Sequence, residues 1–514
     1  MVFVNTKGQW TWMVVVGAFG AFGFGWGTGA NDVANAFGTS VGSGALTNTQ
    51  AIMIAAVFEF VGALVLGRVS TSVIAGSIAD RNVFKSDPPV YAYGMMWTLW
   101  VGTLWLAFAT YHGWNVSSTH SIIGGIIGFS LAYNKDGVLW LTEDPLSIPP
   151  YKGVVPIVIA WFFAPIATGL CSASLFSLIR FFVLRSEEAY ERALKLLPLL
   201  VVITSWINIY FVFTKGAKKT LTQNKDEDWS DDKAAWIAFV VACGLGILSI
   251  GAIPFIRSRA DFLEKRTLDK EEADKNLACV PSIEIEDSEI EKVAPPDDKP
   301  RNFKEQLFRL TEMADDAYNG KKDGKTFMED LSEPVMAMRT RSETFDRQAE
   351  NVFSVLQVFS ACCVMFAHGA GEVGYMAGPL TTISEINDYG VMPKNVEAPL
   401  WIIFLSAISL VVGLATYGQR ITRAMGKELC LITPSRGFAA ELSTAVVIMV
   451  AAQYGLPTSS SQCITGGILG VGLVEGVNGV NWKLFSQTFA SWVLTLFIMG
   501  IGTAALFAQG HAAP

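Results

Sequence analysis

The sequence predicts an all-α integral membrane protein assembled from two related halves. Three observations carry that prediction: a composition suited to lipid, a series of apolar runs of membrane-spanning length, and the duplication of two polar, glycine-rich motifs. Of the 514 residues, 51% are apolar and only 16% charged, with 15 Trp and 33 Phe, so lipid is the expected solvent. About 20 apolar residues cross the hydrocarbon core as a helix, and runs of roughly that length recur from end to end.

Taken in order, the first-half runs cover 10–29, 50–67, 90–111, 153–184, 196–214 and 234–256. Those of the second half cover 352–367, 399–417, 438–454, 457–473 and 485–507. The first is too long for a secretion signal, holds Trp10, Trp12 and Trp26, and lacks a basic flank with a small-residue cleavage site, so it is expected to be retained. Between the halves, 257–351, the apolar runs stop. Lys, Arg, Asp and Glu take over there, with Pro281, Pro295, Pro296 and Pro300 near the middle. That segment reads as a soluble, partly disordered linker, and the chain divides into 1–256, 257–351 and 352–514.

Arg257, Arg259, Lys265 and Arg266 lie beside a membrane run, and the loop after Leu184 carries Arg185, Arg192 and Lys195. By the excess of basic residues on the cytoplasmic side, both loops and the linker are assigned to the cytoplasm. The intervening loop, with Asp226, Glu227, Asp228, Asp231 and Asp232, then lies outside. The stretch GKKDGKT, 320–326, has three residues between its glycines where a phosphate-binding loop needs four. It reads as a solvated turn, which disfavours an ATP-driven pump.

The net charge of −8 comes with no dense basic stripe, so nucleic acid is not an expected partner. The cysteines lie mostly inside apolar runs and read as small hydrophobes, with no disulfide framework and no paired metal-ligand spacing.

Two motifs recur. GANDVANAFG (29–38) matches GAGEVGYMAG (369–378) and places Asp32 and Glu372 at the same position. NVSSTHSIIGGIIG (115–128) matches PTSSSQCITGGILG (457–470). The offsets, 340 and 342 residues, keep the order and spacing of a duplication. Corresponding interruptions in two halves of a membrane chain point to a binding site near the bilayer midplane.

An ionised carboxylate at mid-membrane costs at least about 2.5–3.5 kcal/mol. Asp32, Glu59, Glu372 and Glu441 lie in or beside apolar runs with no Lys or Arg within a helical turn. Cation binding is the simplest compensation. On a helix, Asn31, Asp32 and Asn35 can turn one charged and two amide oxygens to a single point, a set suited to a hard cation such as sodium. Protonation of the acid is the rival way to remove the charge. The glycines around both motifs suggest broken helices whose backbone faces the site.

Ser117, Ser118 and Thr119, and likewise Ser459, Ser460 and Ser461, precede glycine-rich apolar runs of about 14 residues, short for a full span. Each triplet is expected to open a half-helix, where free N–H groups, hydroxyls and the helix dipole make an anion site without Lys or Arg. Two such ends facing each other could hold a tetrahedral oxyanion. His120 and His368, two of only four histidines, fall inside these motifs, and Gln462 replaces His120 in the second half.

At these residues the chain resembles the inorganic phosphate transporter (PiT) family of sodium- or proton-coupled phosphate permeases. The resemblance is carried by GANDVANAFGTSVGSGALT (29–47), VSSTHSIIGGIIG (116–128), FAHGAGEVGYMAGPL (366–380), TPSRGFAAEL (433–442) and PTSSSQ (457–462). It spans both membrane halves and omits the linker. It implies about twelve transmembrane segments in two inverted repeats with broken half-helices, and a homodimer.

The resemblance also implies sodium as the co-transported ion, held by Asn31, Asp32, Asn35 and Glu372. Phosphate would lie on Ser117, Ser118, Thr119, Ser459, Ser460 and Ser461, and Glu59, His368 and Glu441 match positions the family needs for transport. The second half departs from the family's repeated Asn-Asp motif at Gly371, Glu372 and Tyr375, which bears on sodium number and coupling ion.

The expectation is a carrier importing inorganic phosphate by alternating access, with no enzyme activity and no resident cofactor. The acidic linker resembles that of eukaryotic members, which suggests the plasma membrane. The rivals are a proton-coupled carrier of phosphate or another oxyanion, and a phosphate sensor that binds without transport.

Overall fold

The computed structural model describes residues 8–76, 78–143, 150–217, 230–278, 321–322, 325–326, 331–393, 396–453, 456 and 458–512. About half of the linker, 279–320, 323–324 and 327–330, therefore lies outside the described residues, and with it the expectation of disorder there. Nearly every described element is a helix. In lipid each backbone N–H and C=O must be satisfied within its own segment, which a helix achieves locally.

Helix α1 (Thr11–Thr28) passes through a π turn at Gly29–Val33 into α2 (Ala34–Gly42). A capping box of Thr47 and Gln50 starts α3 (Asn48–Ile54), which continues through a second π turn, Ala55–Glu59, into α4 (Phe60–Gly76). Then come α5 (Pro88–Tyr111), α6 (Ser118–Tyr133), α7 (Val154–Ile179), α8 (Ala189–Phe211) and α9 (Asp231–Ala278).

The linker ends with α10 (Glu333–Arg341) and with the first turn of α11 (Arg347–Tyr389), which carries the chain into the second half, followed by α12 (Leu400–Tyr417) and the short α13 (Gln419–Arg423). The second half ends with α14 (Pro434–Gln453), α15 (Ser460–Leu473) and α16 (Trp482–Ala512). Among the described residues, eight helices are long and apolar enough to cross a membrane. Helices α5 and α14, with 24 and 20 residues, are not among these eight.

Two sequence expectations meet a different structure. Neither copy of the Gly-Ala motif breaks its helix: the first widens to a single π turn, and the second lies inside the unbroken 43-residue α11. The glycines serve close helix crossing instead. A Cβ on Gly29 would run into the Leu410 carbonyl and one on Gly413 into that of Trp26, where α12 crosses α1 and its π turn. Gly62 and Gly369 do the same against Phe366 and Glu59, where α4 and the turn before it cross α11. Small residues let the backbones approach and gain dispersion contact where lipid supplies no hydrophobic drive. Each motif helix thus crosses a helix of the other half. Second, α9 runs without interruption across the expected 256/257 boundary to Ala278.

The glycines of the two short helices are used the same way. Gly128 of α6 meets the Gly500 backbone of α16, and Gly466 and Gly470 of α15 meet those of Pro165 and Gly169 of α7. Each half-helix therefore packs on the helix that follows its counterpart in the other half.

At one end of the molecule the two loops assigned to the same side are joined, Arg257 pairing with Glu191 at 3.0 Å. Arg436 is fully buried there, between the rings of Phe176 and Phe345. Its Nη2 donates to Glu475 Oε1 at 2.6 Å and to the Glu343 carbonyl at 2.8 Å. Glu343, just ahead of α11, also binds Arg180 and Arg185. The chain leaving the linker is thereby tied to the ends of α7, α14 and α15. Within the linker, Lys321–Lys322 pair antiparallel with Lys325–Thr326; the residues between them, in the stretch read as a solvated turn, lie outside the described residues.

Candidate functional site

The centre of the fold is set by the two short helices. At about 1.5 Å per residue, α6 and α15, with 16 and 14 residues, reach roughly 24 and 21 Å and cannot cross a bilayer core of about 30 Å. Ser117 and Ser459 are their N-caps, in extended backbone, each accepting the N–H three residues on, of His120 and Gln462. The two capping hydroxyls touch at 2.8 Å, so the N-termini meet head to head. His120 Nε2 and Gln462 Nε2, again equivalent positions, lie 3.4 Å apart. Free N–H groups and hydroxyls of two helices, with both positive dipole ends, converge on one buried place.

The acids of the Gly-Ala motifs flank these ends. Ser118 donates its N–H to Asp32 Oδ2 at 3.2 Å and its hydroxyl to the same carboxylate, and the hydroxyl also lies 2.9 Å from Glu372 Oε2. Ser460 donates to Glu372 Oε1 at 2.5 Å. Asp32 and Glu372 are thus drawn together over the two serine triplets, although 340 residues separate them. Thr119 donates to the Tyr375 hydroxyl at 2.8 Å. His368 connects Glu372 to Glu59, with Nδ1 3.3 Å from Glu59 Oε1 and Nε2 3.6 Å from Glu372 Oε1. Every one of these side chains is buried.

Asn31 and Asn35 differ in their use. Asn31 accepts from the Val116 N–H at 3.0 Å and donates to Thr110 Oγ1 and the Trp114 carbonyl, which ties the α5–α6 turn to the motif. Asn35 donates to the Ser461 carbonyl at 3.4 Å, and its Oδ1, like Asp32 Oδ1, is buried with no hydrogen-bond partner among the described residues. Unpartnered buried oxygens beside two carboxylates are a donor set for a hard cation. Among the described residues no cluster of three or more His, Cys, Asp or Glu could hold a metal ion. A cation here would draw on amide and hydroxyl oxygens as well.

Glu441 stands apart from this group. Thr39, Ser40, Gln357 and Ser360 donate to it at 2.7, 2.6, 3.1 and 2.5 Å. Four donors from two other helices stabilise the carboxylate where the sequence suggested a cation. Thr39 and Ser40 lie in the first motif, and Gln357 and Ser360 are polar residues three apart in an apolar run, a signal the sequence carried. Tyr375 stood out in the sequence only as a departure from the repeated motif, and Trp161, whose ring stacks on His120 at 3.8 Å, carried no signal.

The fold and this site define a polytopic helical membrane protein with an anion-suited centre, as a carrier of anions requires. The chain belongs to the phosphate transporter family, whose sequence model matches residues 28–503. It is 30% identical to a putative phosphate permease of Chlamydia muridarum, over 94% of this chain and 95% of that one. It is 27% identical to the phosphate-repressible phosphate permease of Neurospora crassa, over 96% of each. A solved structure of "the sodium-dependent phosphate transporter" superposes with a TM-score of 0.69 at 25% identity, covering 98% of this chain and 100% of that one. The resemblance in the sequence motifs is thereby borne out.

Proposed function

We propose that this protein imports inorganic phosphate by alternating access, coupled to sodium. The observation that carries the reading is the head-to-head meeting of Ser117 and Ser459 at 2.8 Å beside Asp32 and Glu372. Phosphate is held by Ser117, Ser118, Thr119, Ser459, Ser460 and Ser461, whose hydroxyls and helix-end N–H groups offer a tetrahedral anion several hydrogen bonds. Sodium is held at Asn31, Asp32, Asn35 and Glu372, so that the two carboxylates that repel an incoming anion are neutralised by the co-substrate. This makes binding of the two ions interdependent, which is what coupling requires. Glu59 and His368 support Glu372 from behind, and Glu441 fixes α2 to α11 and α14.

The eight long helices, with α5, α14 and the two half-helices, suit twelve segments in two inverted repeats. The protein works as a homodimer, and we place it in the plasma membrane. The proton-coupled reading is kept by one observation, the imidazole of His368 between two carboxylates.

The test is radiolabelled phosphate uptake into proteoliposomes under an inward sodium gradient, compared with an inward proton gradient without sodium. Accumulation with sodium alone supports the symporter. Accumulation with protons alone transfers the coupling to the His368 group, and saturable binding without accumulation makes the protein a sensor.

A further inference from the structure

The two copies of the Gly-Ala motif are chemically unequal. In the 340-residue register Asn31, Asp32 and Asn35 correspond to Gly371, Glu372 and Tyr375. The first copy flanks its acid with two amides, whose oxygens suit a cation. The second keeps the acid, offers no side chain at Gly371, and puts a phenol where the first has Asn35. A phenolic O–H is chiefly a donor in such a place, and donors suit anions.

The phenol is positioned accordingly. Tyr375 is 5% exposed, and its oxygen accepts the Thr119 hydroxyl at 2.8 Å. Thr119 is in the first turn of α6, among the free N–H groups of that helix end. Because the phenol oxygen is the acceptor in this bond, its own hydrogen remains uncommitted among the described residues. Glu372 accepts from Ser460 on Oε1, and its Oε2 lies 2.9 Å from the Ser118 hydroxyl, so the second motif faces the serine triplets.

We propose that Tyr375 is an anion-binding residue that donates its phenolic hydrogen to the transported oxyanion beside Ser117–Thr119, where the first half places a cation ligand. The proposal rests on the phosphate-carrier reading above. Cation binding then concentrates on the first motif with Glu372, and phosphate uptake rises with sodium without cooperativity.

The test uses full-length protein in sealed proteoliposomes with inorganic phosphate as the probe. Tyr375→Phe keeps the ring and its packing and deletes only the O–H. The expected result is a phosphate KM raised roughly tenfold or more, the loss that a hydrogen bond to a charged group implies. Sodium half-saturation and maximal rate should stay near the wild-type values, a split that a merely structural role would not give. An unchanged phosphate KM overturns the proposal, as does a shift confined to sodium half-saturation.

A second variant, Gly371→Asn with Tyr375→Asn, rebuilds the amide pair, and a Cβ on Gly371 meets nothing within 4 Å. It should keep the raised phosphate KM while its sodium dependence turns sigmoidal, and a wild-type phosphate KM in this variant also overturns the assignment. Absence of uptake by the wild-type protein under either gradient would refute the carrier reading itself, a separate outcome.

Discussion

Removing one charge from the centre gives the most direct test of how the ions are held. Asp32 is 1% exposed, accepts two hydrogen bonds from Ser118 on Oδ2, and leaves Oδ1 with no partner among the described residues. Asp32→Asn is nearly isosteric and keeps an acceptor for Ser118, so it changes the charge and little else. A unit charge about 4 Å from a cation contributes about 4 kcal/mol at an effective dielectric constant near 20. At 1.4 kcal/mol per tenfold, that is roughly a thousandfold in sodium affinity. Uptake should therefore be lost at any workable sodium concentration, while the protein still reaches the membrane as a monodisperse species. The assay is initial-rate phosphate uptake against sodium concentration at constant ionic strength. A half-saturating sodium concentration within threefold of wild type would refute the placement of the cation at Asp32.

Ser117→Ala removes both an N-cap and the contact with Ser459. It should abolish accumulation at a stability cost of only about 1 kcal/mol, read as uptake against thermal unfolding of the purified protein. Gly29→Val drives side-chain atoms into the Leu410 backbone, which cannot yield, whereas Gly371→Ala enters open space. The first should lose folded protein in size-exclusion chromatography, through overpacking of about 1–3 kcal/mol or more, and the second should not. Outside the membrane, Glu343 is held down to about 2, first by the hydrogen bond from Arg185 and then by Arg180, against the opposing effect of partial burial. A depressed carboxyl adds stability that is fully present above its unfolded value near 4.5 and is lost as pH falls toward 2. Wild type should therefore lose more stability than Glu343→Gln between pH 5 and 3, by a small amount because the pair is partly solvated, as thermal unfolding in detergent would show.

Much of the molecule was legible in the residues because the solvent leaves few choices. Apolar length forces helices, so nearly every run lies on a helix and some bounds almost coincide, as those of 399–417 do with Leu400–Tyr417, while α9 and α11 continue well past the runs 234–256 and 352–367. The serine triplets were readable as helix ends because a hydroxyl followed by a short glycine-rich run has a capping chemistry of its own. The acids were found because a carboxylate in an apolar run demands compensation. What compensates each was beyond the sequence. His368 serves Glu59, four donors serve Glu441, and Ser118 serves Asp32 and Glu372, and all these partners come from elements far apart in the chain.

The glycines show the same boundary from the other side. The duplicated motif marked Gly29 and Gly369 as special, but a backbone that breaks and a backbone that is closely approached look alike in one dimension. Only the crossings with Leu410 and Glu59 decide that these helices stay whole. The sequence by itself determined the solvent, the helices, the duplication and the chemical type of the site, since each depends on composition or on neighbours along the chain. The tertiary structure alone decided which half supplies which partner, because a contact across 340 residues is set by how two helix surfaces fit and leaves no local pattern to read.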